Sequence, residues 1–320
     1  MAQQNDERLA LFATPRDWFR HAVSRFAQAK LVFGHGCDNA VDEAAFIVLE
    51  ALHLPIDAFD PFADARLTLE ERRRLAMLID ARVDTRKPAA YLLGRAYVQG
   101  VPFFVDENTI VPRSYLGELL AGALIGEGGL IQSPEAIRSA LDLCAGGGSL
   151  AILAARAFQD AMIDAVELSP GALAVARRNV VEHGLEDRIR LFQGDLYAPV
   201  ARRRFDLILT NPPYVTTAAV DAFPPEYAAE PRIAHEAGAD GLSVVRRILD
   251  AAGGHLTEGG WLVCEIGQGR DALEAAYPTL PFLWLDTATS AGEVFAIPAR
   301  DLKNARPAAG RARKPHASGS

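Results

Sequence analysis

From about Ala140 onward, short apolar runs alternate with amphipathic runs of helical period, and this limits the chain more than any other feature. Ala140–Leu143, Met162–Val166, Ile189–Gln193, Phe205–Thr210, Trp261–Glu265, Phe282–Asp286 and Glu293–Ile297 read as strands. Ser149–Phe158, Ser169–His183, Gly241–Ala252 and Arg270–Ala276 read as helices between them. The pattern predicts an α/β fold with a doubly wound, mostly parallel seven-stranded sheet, because parallel neighbours need the crossover that a helix supplies. Only Thr287 to Gly292 separate the last two strands, too few for a crossover. Those two should form an antiparallel hairpin at the sheet edge.

The first ~95 residues read instead as a small helical domain. Thr14-Pro15 opens a helix whose Trp18, Phe19, Ala22, Val23 and Phe26 share one face. Asp42 to Leu52 is a second helix, and Thr68-Leu69-Glu70-Glu71 is a capping box for a third that runs through Arg82. Residues 96–113 suggest a β-hairpin linker, with Asp106-Glu107-Asn108 as its turn and Thr109–Val111 as its second strand. Ser114 can cap a helix running to Ile125, which begins a domain that extends to 302.

Lys303 to Ser320 is a basic stretch rich in Ala, Gly, Pro and Ser, with five cations and no acids, and it reads as disordered. Without it the net charge of −8 becomes −13, so the body does not have the balance of a general nucleic-acid binder. The tail leaves open a weak RNA contact. No apolar run approaches the ~18 residues of a membrane span, and the polar start Met1–Glu7 lacks the features of a signal peptide. A soluble cytoplasmic protein is expected. The 3 cysteines, Cys37, Cys144 and Cys264, show no metal-ligand or disulfide spacing.

Three motifs at strand ends suggest an adenosine-type cofactor. Leu141-Asp142-Leu143-Cys144-Ala145-Gly146-Gly147-Gly148-Ser149 takes a strand into a glycine turn and a helix, whose free N–H groups and positive dipole end face a ligand. Asp142 is placed to meet an ammonium. Cys144, Ala145, Gly146 and Gly148 are the contacts expected of the turn, Cys144 as a small residue rather than a catalytic thiol. Glu167, with Leu168 beside it, ends the next strand, where a carboxylate can accept both hydroxyls of a ribose. Asp195 and Leu196 follow the third strand and suit an exocyclic amine and a ring. These motifs do not choose between a nicotinamide and S-adenosylmethionine.

Thr210-Asn211-Pro212-Pro213-Tyr214-Val215, at the end of the fourth strand, makes that choice. Two prolines donate no N–H groups and fix the chain, so the turn offers acceptors and few donors. Such a cradle suits an –NH₂ group, and Tyr214 supplies a ring for a flat substrate. An amide nitrogen is a poor nucleophile, but a sulfonium methyl is a strong electrophile, so placement is the main task. Asn211 Oδ1 and the Pro212 carbonyl are expected to accept the two N–H bonds and turn the nitrogen lone pair toward the methyl. The motifs contain no strong base, so the proton should leave after transfer.

Asn-Pro-Pro-Tyr in this position resembles class I methyltransferases that act on amino or amide nitrogens. More narrowly, the chain is similar to the protein-(glutamine side-chain amide) methyltransferases from about Val83 to Pro298. The similarity includes Arg86–Leu92, Phe103-Phe104-Val105-Asp106, Val111-Pro112-Arg113, Glu226-Tyr227, Glu230-Pro231 and Gly238–Leu242. It implies a helical domain joined by a hairpin to a Rossmann-like catalytic domain, S-adenosylmethionine as cofactor, and Arg113 with Asn211, Pro212, Pro213 and Tyr214 at the substrate. Of two branches, one modifies release factors at a Gly-Gly-Gln motif and usually follows Pro-Arg with Pro-Asp-Thr-Glu. Here Pro112-Arg113-Ser114-Tyr115-Leu116-Gly117-Glu118 and Pro224-Pro225-Glu226-Tyr227 are similar to the other branch, which modifies a glutamine of large-subunit ribosomal protein L-three. That protein, free or in a pre-ribosomal particle, is the implied partner. The glycine turn departs from the family in lacking a Thr, and His235 has no role that the sequence suggests.

An adenine-amino methyltransferase of DNA or RNA would also use Asn-Pro-Pro-Tyr, but the acidic body opposes it. A nicotinamide oxidoreductase would explain the glycine turn and Glu167 and leave Asn211–Tyr214 idle. A catalytically idle ribosome-assembly factor is the third rival.

Overall fold

The structure is a computed structural model that describes residues 2–302. The basic tail expected at 303–320 lies outside the described residues. Five helices come first: α1 (Ala2–Leu11), α2 (Pro15–Gln28), α3 (Ala40–Ala51), α4 (Leu69–Thr85) and α5 (Ala89–Leu93). Thr14 and Thr68 cap α2 and α4 through capping boxes with Asp17 and Glu71. Trp18, Ala22 and Phe26 of α2 are fully buried with Ile47 and Val48 of α3 and Leu75 and Ile79 of α4. Each such large side chain contributes roughly 1.5–3 kcal/mol by leaving water.

The hairpin turns earlier than the sequence suggests. β1 (Ala96–Val98) pairs antiparallel with β2 (Val101–Phe103), and the turn is Gln99-Gly100, with φ of 51° and 73°. Two successive positive φ angles match the right-handed twist of a two-residue hairpin. Glutamine is a weak signal for that conformation, which is why Asp106–Asn108 drew the expectation. Asp106 instead closes a local turn by accepting the Asn108 N–H at 2.9 Å. Residues 104–111 then run as a strap: Phe104 exchanges hydrogen bonds with the Asn179 amide, and Val111 donates to Glu230 at 2.9 Å.

The helix α6 (Tyr115–Ala121), capped by Ser114, stops at Gly122, short of the expected Ile125. The remaining elements are β3 (Ser139–Leu143), α7 (Ser149–Ala157), β4 (Met162–Glu167), α8 (Pro170–Glu182), β5 (Ile189–Gln193), β6 (Phe205–Thr210), α9 (Thr217–Asp221), α10 (Ser243–His255), β7 (Leu256–Glu265), α11 (Arg270–Ala276), β8 (Leu283–Leu285), β9 (Val294–Pro298) and α12 (Ala299–Leu302). The sheet order is β5-β4-β3-β6-β7-β9-β8, parallel from β5 to β7 and antiparallel at β9 and β8. The seven-stranded α/β sheet and its edge hairpin are therefore as the alternation predicts.

Alternation along the strands fills two cores. Leu207 and Leu209 of β6 pack with α6 and α7, while Ile208 packs with α10 and β9 on the other face. β7 begins earlier than expected, and its register with β6 shifts between Phe205 and Leu207. There Gly260 lets backbones approach: a Cβ would lie 2.8 Å from the Phe205 carbonyl oxygen. Among the described residues no helix is long and apolar enough to cross a membrane.

Candidate active site

The C-terminal ends of β3, β4, β5 and β6 open onto one cleft of about 1280 Å³, its mouth included. This is where ligands sit in open α/β sheets, beside the point where strand order reverses. The strap, the insert at 231–236 and α10 form the facing wall. Of the residues singled out by sequence, Arg113, Cys144, Ala145, Gly146, Glu167, Leu168, Asp195, Leu196, Asn211 and Pro213 line it. Asp142, Gly148, Pro212 and Tyr214 do not.

The glycine turn explains part of this division. Gly146 has φ of 53°, and a Cβ there would meet nothing within 4 Å, so bare backbone faces the cleft. Its N–H donates to Glu167 Oε2 at 2.8 Å, while Ser169 N–H donates to Oε1 at 2.7 Å. Those bonds fix the carboxylate at the cleft edge and leave about two of its four lone pairs for a ligand. Gly148 serves packing: it precedes α7 with φ of 79°, and a Cβ would lie 3.2 Å from that of Ala176 on α8. Cys144 has φ of 59°, a strained conformation for its type. Loss of solvent pushes its thiol well above the ordinary range, with Glu167 and Asp142 adding to the effect.

Asp142, expected to meet an ammonium, does not line the cleft. It is fully buried beneath the turn, and its Oδ2 accepts the Ala151 N–H at 3.0 Å. Its Oδ1 has no hydrogen-bond partner among the described residues. Burial pushes this carboxyl up to about 8, and Glu167 adds to the rise, which favours its neutral form. Asp195 reaches the cleft but is paired with Arg247 at 2.6 Å.

Beyond β6, Thr210 ties the strand end to β3 by donating to the Leu143 carbonyl at 2.9 Å. Asn211 then lines the cleft, and its side chain makes no hydrogen bond with the described residues. Pro212 is buried behind the wall. Tyr214 is turned away from the cleft, where a ring against the substrate was expected. Its hydroxyl donates to Glu265 Oε1 at 3.2 Å. The turn is wedged between two glycines in the left-handed region: a Cβ on Gly241 would lie 2.4 Å from the Tyr214 oxygen, and one on Gly267 2.7 Å from the ring.

Arg113 faces Glu230, both of whose oxygens it holds. Sequence reasoning missed Glu265 as a partner of the turn, and it missed Thr109, Ile110 and Arg247 as lining residues. A charge ending an apolar strand at the same sheet edge as Asn211 was the available signal for Glu265. The lining residues Thr109 and Ile110 carry no such signal, because a hairpin reading placed them in a strand.

The methyltransferase small domain family matches residues 130–223. A ribosomal protein uL3 glutamine methyltransferase from Bradyrhizobium diazoefficiens is 56% identical over 289 residues, covering 89% of this chain and 91% of the relative. Proteins of the same name from Burkholderia pseudomallei and Bordetella pertussis are 49% and 50% identical, covering 91% and 93% of this chain and 96% and 99% of theirs.

Proposed function

The chain belongs to the ribosomal protein uL3 glutamine methyltransferases, and from that premise we propose that it transfers a methyl group from S-adenosylmethionine to a glutamine side-chain amide nitrogen of uL3, the L-three protein. The observation that carries this reading is the single cleft shared by Gly146, Glu167, Asn211 and Pro213. The nicotinamide rival gives Asn211 and Pro213 nothing to do on that wall.

The residues present fit the cofactor. Bare backbone at Gly146 and the free N–H groups at the start of α7 suit its methionine end. The remaining lone pairs of Glu167 suit its ribose, and Asp195 with Leu196 suits its adenine. When bound, S-adenosylmethionine supplies an electrophilic methyl group. The chain's own work is orientation. Asn211 Oδ1, on the cleft wall, accepts one amide N–H. Its dipole favours the positive charge that grows on nitrogen and helps to aim the lone pair at the donor. The released proton passes to water.

The test is to incubate the protein with labelled S-adenosylmethionine and, separately, uL3, a release factor and duplex DNA. Label in one glutamine-containing peptide of uL3 is expected. Label confined to release factor or DNA would replace uL3 with that acceptor.

A further inference from the structure

The strand β7 ends on a carboxylate that the chemistry above does not use. Glu265 is 1% exposed, yet its two oxygens serve three donors from two separate segments of the chain. The Tyr214 hydroxyl donates to Oε1 at 3.2 Å. The Ser114 hydroxyl and the Tyr115 N–H donate to Oε2 at 2.6 and 2.9 Å. Ser114 lines the cleft and caps α6, while Tyr214 closes the turn that begins at Asn211. One buried group therefore fixes both the acceptor turn and the start of α6.

We infer that Glu265 is a positioning residue for methyl transfer, holding Tyr214 and Ser114 so that Asn211 presents the acceptor amide in one orientation. The inference rests on the function proposed above. Its geometry has a chemical requirement: three donors need an acceptor on each oxygen. A protonated carboxyl would place an O–H among those donors, and either the Ser114 or the Tyr214 hydroxyl would have to turn round and accept. Burial pushes Glu265 up to about 7, against the pull of Ser114, Tyr214 and the Tyr115 and Leu116 N–H groups. The other charges nearby lie one shell out. Arg113 faces Tyr214, and Glu293 at the start of β9 and Glu118 on α6 face Tyr115. The positioning device is therefore complete on the alkaline side of neutrality and released on the acid side.

The experiment compares the pH dependence of uL3 methylation by wild type, Glu265→Gln, Glu265→Ala and Tyr214→Phe at saturating S-adenosylmethionine. The wild-type kcat should fall on the acid side with a midpoint near 7. Glu265→Gln keeps an acceptor for Ser114 and Tyr115 but sets an –NH₂ donor against Tyr214, as the protonated carboxyl does. It should show the reduced acid-side kcat of wild type at every pH, with no acid limb. Glu265→Ala should lose kcat by about 100-fold, as misplacement on the ångström scale does, with cofactor Kd unchanged. Tyr214→Phe removes a bond that favours the carboxylate, so its limb should move to higher pH. Retention of the acid limb in Glu265→Gln, or wild-type kcat in Glu265→Ala, would overturn the inference and leave the function standing. If Glu265→Ala does not fold, the Glu265→Gln profile decides alone. A wild type that methylates another acceptor overturns the uL3 reading, and the same profiles then test Glu265 on that acceptor. A wild type that methylates nothing overturns both.

Discussion

The Arg113 guanidinium forks onto Glu230, with Nη1 at 2.6 Å from Oε1 and Nη2 at 2.7 Å from Oε2. Arg113 lies two residues past the strap and Glu230 immediately before the insert, so this pair joins the two parts of the cleft's outer wall. Val111 N–H, His235 at 3.0 Å and His35 at 3.6 Å converge on the same carboxylate. Burial alone would raise the Glu230 carboxyl, but the Arg113 fork and the His235 contact outweigh it and hold it well below the carboxylate range.

Glu230→Gln should therefore destabilise the protein by roughly 3–5 kcal/mol, because one arm of a largely buried guanidinium loses its partner. The KM for uL3 should rise, since the wall beside Asn211 loosens, while cofactor affinity stays near wild type. Denaturant titration measures the first effect, initial-rate kinetics with uL3 the second and calorimetric titration of the cofactor the third. An unchanged unfolding midpoint would show that the fork contributes nothing.

The same cluster sets an acid limit on stability. Burial lowers His35 to about 4, with Arg113 and Arg82 contributing and Glu230 opposing. A histidine lowered from about 6.5 folds neutral and takes up its proton on unfolding, so its contribution is present above 6.5 and is lost as pH falls toward 4. Glu230 acts in the same direction, because a depressed carboxyl loses its contribution as it becomes protonated. Relative to wild type, His35→Gln should therefore gain melting temperature as pH falls from 6.5 to 4, while the raised carboxyls of Glu265 and Asp142 act the other way in both proteins. An identical slope in the variant would remove His35 from this account.

Asp142 separates two roles for a carboxylate under the glycine turn. Its Oδ2 serves the Ala151 N–H, and burial favours the neutral form of the group. Asp142→Asn keeps an acceptor and the neutral charge, so S-adenosylmethionine Kd should change by less than about threefold at pH 7. A carboxylate that met the cofactor's ammonium would lose a charge-assisted bond, about 10-fold or more in Kd. Isothermal titration distinguishes these outcomes.

The sheet was legible in the sequence because its information is periodic: Leu207, Ile208 and Leu209 alternate between two cores, and each crossover helix has an apolar face. Glu167, Asp195 and Asn211 were legible because each ends a strand at the edge where the cleft opens. The Gln99-Gly100 turn was hidden because its conformation is held by pairing on both sides rather than by residue type. Asp142 and Tyr214 were placed at the ligand by their position in motifs, but nothing in a linear motif says whether a side chain points into a cleft or beneath it. The Glu265–Tyr214 and Glu230–Arg113 contacts span 51 and 117 residues, beyond any local signal.

Asn211 lines the cleft with a side-chain amide that makes no hydrogen bond to the described residues. Its replacement should therefore leave the fold intact and act on the chemistry alone. Asn211→Ala is expected to lower kcat by about 100- to 1000-fold, the usual effect of removing one dipole aimed at developing charge, with cofactor Kd within about threefold of wild type. Single-turnover kinetics with uL3 measure the first and fluorescence titration the second. A variant that turns over normally would exclude Asn211 as an acceptor for the amide.

Glu265 opposes stability where it supports positioning. Its folded value of about 7 lies above the ordinary value of 4.5, so the folded state binds the proton more tightly. The corresponding stability is fully present below about 4.5 and is lost as pH rises through 7. Above that point the protein carries a buried charge, a burden on the order of 1–3 kcal/mol relative to a neutral group. Glu265→Gln removes the charge and keeps the shape. It should melt higher than wild type at pH 8.5, and the gain should vanish near pH 5. Differential scanning calorimetry at the two pH values is the measurement. If the gain at pH 8.5 is absent, or persists undiminished at pH 5, the carboxylate is not the strained group, and the ionisation that positions Tyr214 must belong elsewhere.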